Sequence, residues 1–220
     1  MREFCARRIF GPLGITRTLF LDDHHGIVAQ RADSYFRRPD GEHDRIALSY
    51  SNAGATSLNT TVDDLARWVL HVMTPKVRGV LEGGFTLQDG TDLSYALGVT
   101  AEEYLGIPSL SHSGRDAGYR AHVLVLPDRG IASVVLSNAA QMPAQILAQR
   151  MIGLLLDDPD SLNSSDSGLP PKVRRPQLAD LDGLRGDTWM TTAMPCSTSS
   201  GRWRAHGPVR CGLRVASSRR

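Results

Sequence analysis

Apolar and polar positions change rhythm along this chain, and each change of period marks an element. The opening MREFCARRIF sets Phe4, Ile9 and Phe10 among arginines, as the last turns of a helix would. Gly11 and Pro12 stop it, since glycine costs a helix backbone entropy and proline cannot continue one. Residues 21–60 hold no sustained period and are rich in Asp, His, Arg and Gly. They predict a long irregular stretch with short strands at most. The helical period returns in NTTVDDLARWVLHVM, where Val62, Leu65, Trp68, Val69 and Val72 share one face. Thr60 or Thr61 can cap that helix, and Asp63 and Asp64 suit its positive end.

The period then shortens to two. LSYALGVTAEEYL, PSLSHSG, YRAHVLVLP and IASVVLSN predict four strands over 93–105, 108–114, 119–127 and 131–138, the last two joined by the turn Pro127-Asp128-Arg129-Gly130. PAQILAQRMIGLLL, 143–156, predicts an amphipathic helix with Ile146, Leu147, Met151, Leu154 and Leu155 on its buried side. Antiparallel strands closed by helices make an α+β domain over residues 1–157, an antiparallel sheet packed with helices. Residues 158–186, most of them in DDPDSLNSSDSGLPPKVRRP (157–176), read as a linker, with almost nothing to bury. Residues 187–220 mix Arg, Ser, Cys, Gly and Trp without a period and predict an irregular tail. Two origins fit it: a disordered basic tail, or GC-rich DNA translated out of frame.

Composition excludes more than it proposes. The chain has 220 residues, 41% hydrophobic and 22% charged, which suits a globular domain with a tail. A net charge of +2 makes no case for nucleic acid as a partner. Lys76 and Lys172 are the only lysines, so the basic side is nearly all arginine. Cys5, Cys196 and Cys211 match neither a metal-ligand spacing nor a disulfide framework. His24 and His25 adjoin on a polar loop and read as solvated, so no metal and no cofactor is expected. No apolar run of about 18 residues predicts a membrane span. The start lacks the apolar stretch of a signal peptide, which makes the default compartment the cytoplasm, and the sequence leaves the oligomeric state open.

The candidate chemistry sits at His112-Ser113-Gly114-Arg115, between two predicted strands. A strand beside a carbonyl-binding cleft needs a small residue where substrate lies alongside, which Gly114 supplies. It also needs hydrogen-bonding side chains near the substrate carbonyl or carboxylate, which His112 and Ser113 supply. Arg115 reads either as a charge facing substrate or as a solvated turn residue. Asp116 and Tyr119 read as shaping the turn, Gly54 as serving loop geometry and Trp68 as core. The sequence places no base beside Ser113.

Three blocks taken in order, RRIFGPLGITRTLF, GATSLNTTVDDLARWVLHV and YALGVTAEEYLGIPSLSHSGRDAGYRAHVLVLPDRGIASVVLSN, resemble the serine β-lactamase-related family. That family includes class C β-lactamases, D-alanyl-D-alanine carboxypeptidases, D-aminopeptidases and related esterases. The resemblance covers roughly residues 1–157 and implies the β-lactamase or penicillin-binding-protein-like fold. Such enzymes use a Ser-x-x-Lys nucleophile and base, a Tyr-x-Asn or Ser-x-Asn motif, and a Lys-Thr-Gly strand that many members replace by His-x-Gly. His112-Ser113-Gly114 resembles that third motif, and the resemblance makes the amide of Arg115 an oxyanion donor. Histidine in place of lysine lowers the fixed positive charge at neutral pH, which brings esters and amides level with penicillins as substrates.

The first motif has no match. The positions three before Lys76 and Lys172 hold Met73 and Leu169. Tyr50 and Asn52 in SYSN look like the second motif but follow GPLGIT, whereas the family's motif precedes it, so they read as coincidence. The resemblance therefore implies a C-terminal portion, incomplete at its N-terminus, whose nucleophile, base and second motif lie upstream of Met1. It implies a serine hydrolase acting on a small-molecule or peptide substrate through an acyl-enzyme, with this chain inactive as given. The alternative is a non-catalytic pseudoenzyme or binding remnant, and the ordered blocks disfavour an unrelated interaction domain. The family's sheet also takes strands from its N-terminal segment, so 131–138 should be an open sheet edge.

Overall fold

A computed structural model describes residues 1–156 together with segments 192–193 and 211–217. The linker expected at 158–186 and most of the tail lie outside the described residues.

The chain opens with α1 (Arg2–Cys5), which widens into a π-type turn over Ala6–Phe10, closed by Gly11 N–H donating to the Ala6 carbonyl at 2.9 Å. Short strands β1 (Leu19–Phe20), β2 (Ser34–Arg37), β3 (His43–Ile46) and β4 (Leu58–Asn59) punctuate the polar stretch. They pair as β1 with β4 and β2 with β3, which agrees with the expectation of irregular chain holding short strands. Helix α2 (Val62–Val72) begins at Thr61, whose side chain accepts from the Asp64 N–H at 3.3 Å. Helix α3 (Pro75–Leu81) follows, with proline at its first position, and lies where no helix is expected.

Two short strands, β5 (Phe85–Thr86) and β6 (Asp92–Leu93), form a ribbon of their own. The main sheet then builds from β7 (Tyr95–Ala96), β8 (Val99–Tyr104), β9 (Ile107–Asp116), β10 (Tyr119–Leu126) and β11 (Ile131–Ser137). Helix α4 (Ala144–Leu155) precedes β12 (Thr192–Ala193) and β13 (Cys211–Ser217). The sheet order is β12-β13-β11-β10-β9-β8-β7, antiparallel throughout. The single strand expected over 93–105 is divided: Leu93 ends β6, and β7 and β8 are separated by the two-residue turn of Leu97 (φ 53°) and Gly98 (φ 81°).

Each face of the sheet carries its own core. Leu110, Val125, Ala132 and Val134 pack with Val69 and Val72 of α2, joined by Val62, Leu65 and Trp68 as the helical period predicts. On the other face, Val135 packs against Ala144, Leu147, Ala148 and Met151 of α4, and Leu124 and Leu126 against Ile152. The buried stripe of α4 thus runs through Ala144, Leu147, Ala148, Met151 and Ile152, while Ile146, Leu154 and Leu155 are half-buried. Small alanines lie against the sheet because they let the helix approach it closely.

The expectation of an open edge at 131–138 does not hold. β13 pairs along the whole of β11, from Ile131 opposite Ser217 to Ser137 opposite Cys211. The tail thus contains a strand where none is expected. Its partner is so distant in sequence that no turn signal announces the pairing.

Candidate functional site

The hairpin of β9 and β10 builds the site, and its register decides which groups reach it. Asp116 pairs with Tyr119 around Ala117-Gly118, and Tyr104 pairs with Ile107 around Leu105 (φ 53°) and Gly106 (φ 69°). Pairs that close two-residue turns are hydrogen-bonded, so even-numbered residues of β9 bond to β10 and odd-numbered ones face β8. Pairing with β8 reaches only Ser111, opposite Thr100. Beyond it, the backbone N–H and C=O of Ser113 and Arg115 point along an edge that no strand covers among the described residues.

Side chains alternate across the same strand. His112, Gly114 and Asp116 lie on the face of Leu110 and α2, whereas Ser113 and Arg115 lie on the face of Leu124 and α4. The four residues singled out by sequence are contiguous on one strand but do not converge. His112 is exposed, and its Nε2 lies 3.2 Å from the Tyr95 hydroxyl, with the two rings 5.9 Å apart. Gly114 answers to a cross-strand neighbour, since a Cβ there would stand 3.1 Å from that of Ala121. Arg115 is exposed, opposite Arg120. At the far end, the Tyr50 hydroxyl donates to Asp116 Oδ1, which raises the Tyr50 pKa. Tyr50 of SYSN therefore reaches this strand, although its position in the chain gives no sign of that.

Ser113 has the partner that the sequence did not place. Its Oγ lies 2.8 Å from Nδ1 of His122, directly opposite on β10. His122 is 3% exposed, flanked on its other side by Val135, which packs under α4. Burial first, and the neighbouring charge of His112 second, lower its pKa from 6.5 to about 4. The imidazole is thus neutral at neutral pH. The signal for His122 is its place inside the alternation Tyr119–Leu126, readable only once the hairpin register is known.

The hairpin end is clamped by β2. The Gly118 N–H donates to Ser34 Oγ at 3.1 Å, and a Cβ at Gly118 would stand 2.9 Å from the Tyr35 nitrogen. The Tyr119 hydroxyl donates to the Ala32 carbonyl at 2.6 Å, and Tyr35 exchanges backbone bonds of 2.8 Å with Asn138 and Ala140. A cavity of about 230 Å³ opens beside this clamp, lined by His24, His25, Arg31, Asp33, Arg45 and Tyr119 among others. The donor atoms of Asp23, His24 and His25 lie within 4.8 Å of one another on a mostly exposed loop, and they are the group among the described residues with metal-ligand chemistry.

A seven-stranded antiparallel sheet with helices on both faces places the chain in the penicillin-binding-protein-like class of folds. It superposes on the structure of the octameric penicillin-binding protein homologue from Pyrococcus abyssi with a TM-score of 0.61 at 21% identity, over 71% of this chain and 37% of that one. The chain thus spans little more than a third of that protein's length. The sequence model of the Beta-lactamase family matches residues 1–155, and the chain belongs to that family. No curated protein matches it. No described helix is long and apolar enough to cross a membrane.

Proposed function

We propose that this chain supplies the oxyanion-side wall of a serine hydrolase site, with the Arg115 N–H directed at a substrate carbonyl and Ser113 beside it. One observation carries the reading: β9 continues past its β8 neighbour, leaving the Ser113 and Arg115 backbone groups along an edge that is open among the described residues. A carbonyl substrate lying there finds a fixed N–H donor that costs no reorganisation, which is what stabilises a developing oxyanion. Family membership supports acyl transfer as the reaction, with an amide, peptide or ester as substrate.

The 220 residues hold no Ser-x-x-Lys pair, so the nucleophile and base that the family's first motif supplies are not among them. That same fact favours a second reading, a binding module that keeps the wall without the chemistry. An in-frame Ser-x-x-Lys preceding Met1 in the coding DNA supports the hydrolase, and an interrupted frame there supports the binding module. For the chain itself, a short blocked peptide should shift the amide resonances of Ser113–Arg115. Neither a fluorescent penicillin nor a fluorophosphonate should label it. Stoichiometric labelling refutes the assignment of roles, and a peptide that leaves those amides unmoved refutes the wall.

A further inference from the structure

We infer that Ser113 meets substrate as a hydrogen-bond acceptor, its own proton held by His122, so that this wall selects a substrate N–H and takes amides over esters. The inference rests on the wall proposed above and names the substrate class it fits. A serine hydroxyl has one proton and two lone pairs, and what it offers a ligand depends on where that proton is spent. Here the Oγ of Ser113, an exposed residue, lies 2.8 Å from Nδ1 of a histidine that is almost wholly buried.

Burial opposite Val135 keeps the ring uncharged, so it has one bare nitrogen and one N–H. In the Nε2–H form, which a free histidine side chain favours, Nδ1 is the bare nitrogen and takes the hydroxyl proton. The lone pairs of Oγ are then what the hydroxyl has left to offer a ligand. An amide N–H at that point completes a hydrogen bond, whereas the oxygen of an ester brings lone pair against lone pair. A site built to bond an N–H discriminates strongly against an analogue that lacks it. His122 is in this sense a positioning residue, acting through Ser113 without reaching the ligand.

Two measurements on the full chain test this. Nitrogen-15 spectra of the imidazoles should show His122 as the Nε2–H tautomer, with Nδ1 accepting. In titrations followed at the Ser113–Arg115 amides, an N-acetyl dipeptide should bind at least about tenfold more tightly than the depsipeptide that replaces its N–H by oxygen. His122→Leu frees the hydroxyl to donate and should bring the ratio toward one. His122→Gln, which can accept through its Oε1, should restore the ratio and guards against a variant that merely misfolds. An Nδ1-protonated ring, or equal binding of the two probes to the unaltered chain, overturns the inference and leaves the wall standing. Failure of both probes to bind overturns the wall and the selectivity built on it.

Discussion

Acidifying the solution should test the burial of His122 directly, because protonation of this ring is opposed by the fold and not by the unfolded chain. The unfolded histidine takes its proton at 6.5, while in the fold the same proton binds only at about 4. Above pH 6.5 both states are neutral and the contribution to stability is complete. Between 6.5 and 4 the unfolded state binds more protons, so stability falls as pH falls, with a limiting slope of about 1.4 kcal/mol per pH unit. Below about 4 both states are charged and the loss levels off. The gap between the two values corresponds to about 3 kcal/mol, a large share of the stability of an ordinary domain. The assay is urea unfolding at a series of pH values, for the native chain and for His122→Gln. The glutamine variant retains an acceptor for Ser113 but has nothing to titrate. Carboxylates titrate in both proteins, so the difference between the two curves isolates His122. Parallel curves, or an imidazole that titrates near 6.5, refute the reasoning.

Three further outcomes follow from the packing. Gly118→Ala places a methyl 2.9 Å from the Tyr35 nitrogen and 3.0 Å from the Ser34 side chain, so urea unfolding should show a loss of about 1–3 kcal/mol unless β2 moves away. Asp64→Ala removes a buried carboxylate that accepts from Arg17 N–H and Thr18 Oγ1, both at 2.7 Å, and should cost about 2–4 kcal/mol by the same measurement. Asp116→Asn should bring the Tyr50 phenol back down toward its ordinary value, followed by ultraviolet titration. A phenol titration that stays where it was contradicts the Tyr50–Asp116 hydrogen bond.

The pattern of the sequence was most legible where structure is local. The helix over Val62–Val72 announces itself through period, cap and acidic first turn, and the strands over 107–137 through alternation and turn residues. What alternation alone does not reveal is register. His122 and Ser113 are nine positions apart and look unrelated until the two-residue turn at Ala117-Gly118 sets them opposite one another. Tyr50, in a stretch without period, reaches Asp116 across 66 residues, and β13 reaches β11 across still more. Such contacts depend on tertiary packing that no local pattern encodes. The reason for Gly118 was similarly hidden, because the backbone that crowds it belongs to Ser34 and Tyr35.

The separation of His112 from Ser113 bears on how the third motif works in this chain. A His-x-Gly string read along the sequence suggests three residues acting together, yet a strand sends alternate side chains to opposite faces. His112 and Gly114 face the side of α2, and the imidazole also lies within hydrogen-bond distance of Tyr95, which pairs through Thr100 with Ser111 of the other face. Ser113 faces the side of α4, where His122 holds the hydroxyl. Only the backbone is common to both, and its open edge at Ser113 and Arg115 lies between the two faces. A substrate paired to that edge would therefore meet a different side chain above and below it. Changes on one face should alter recognition on that side and leave backbone pairing intact.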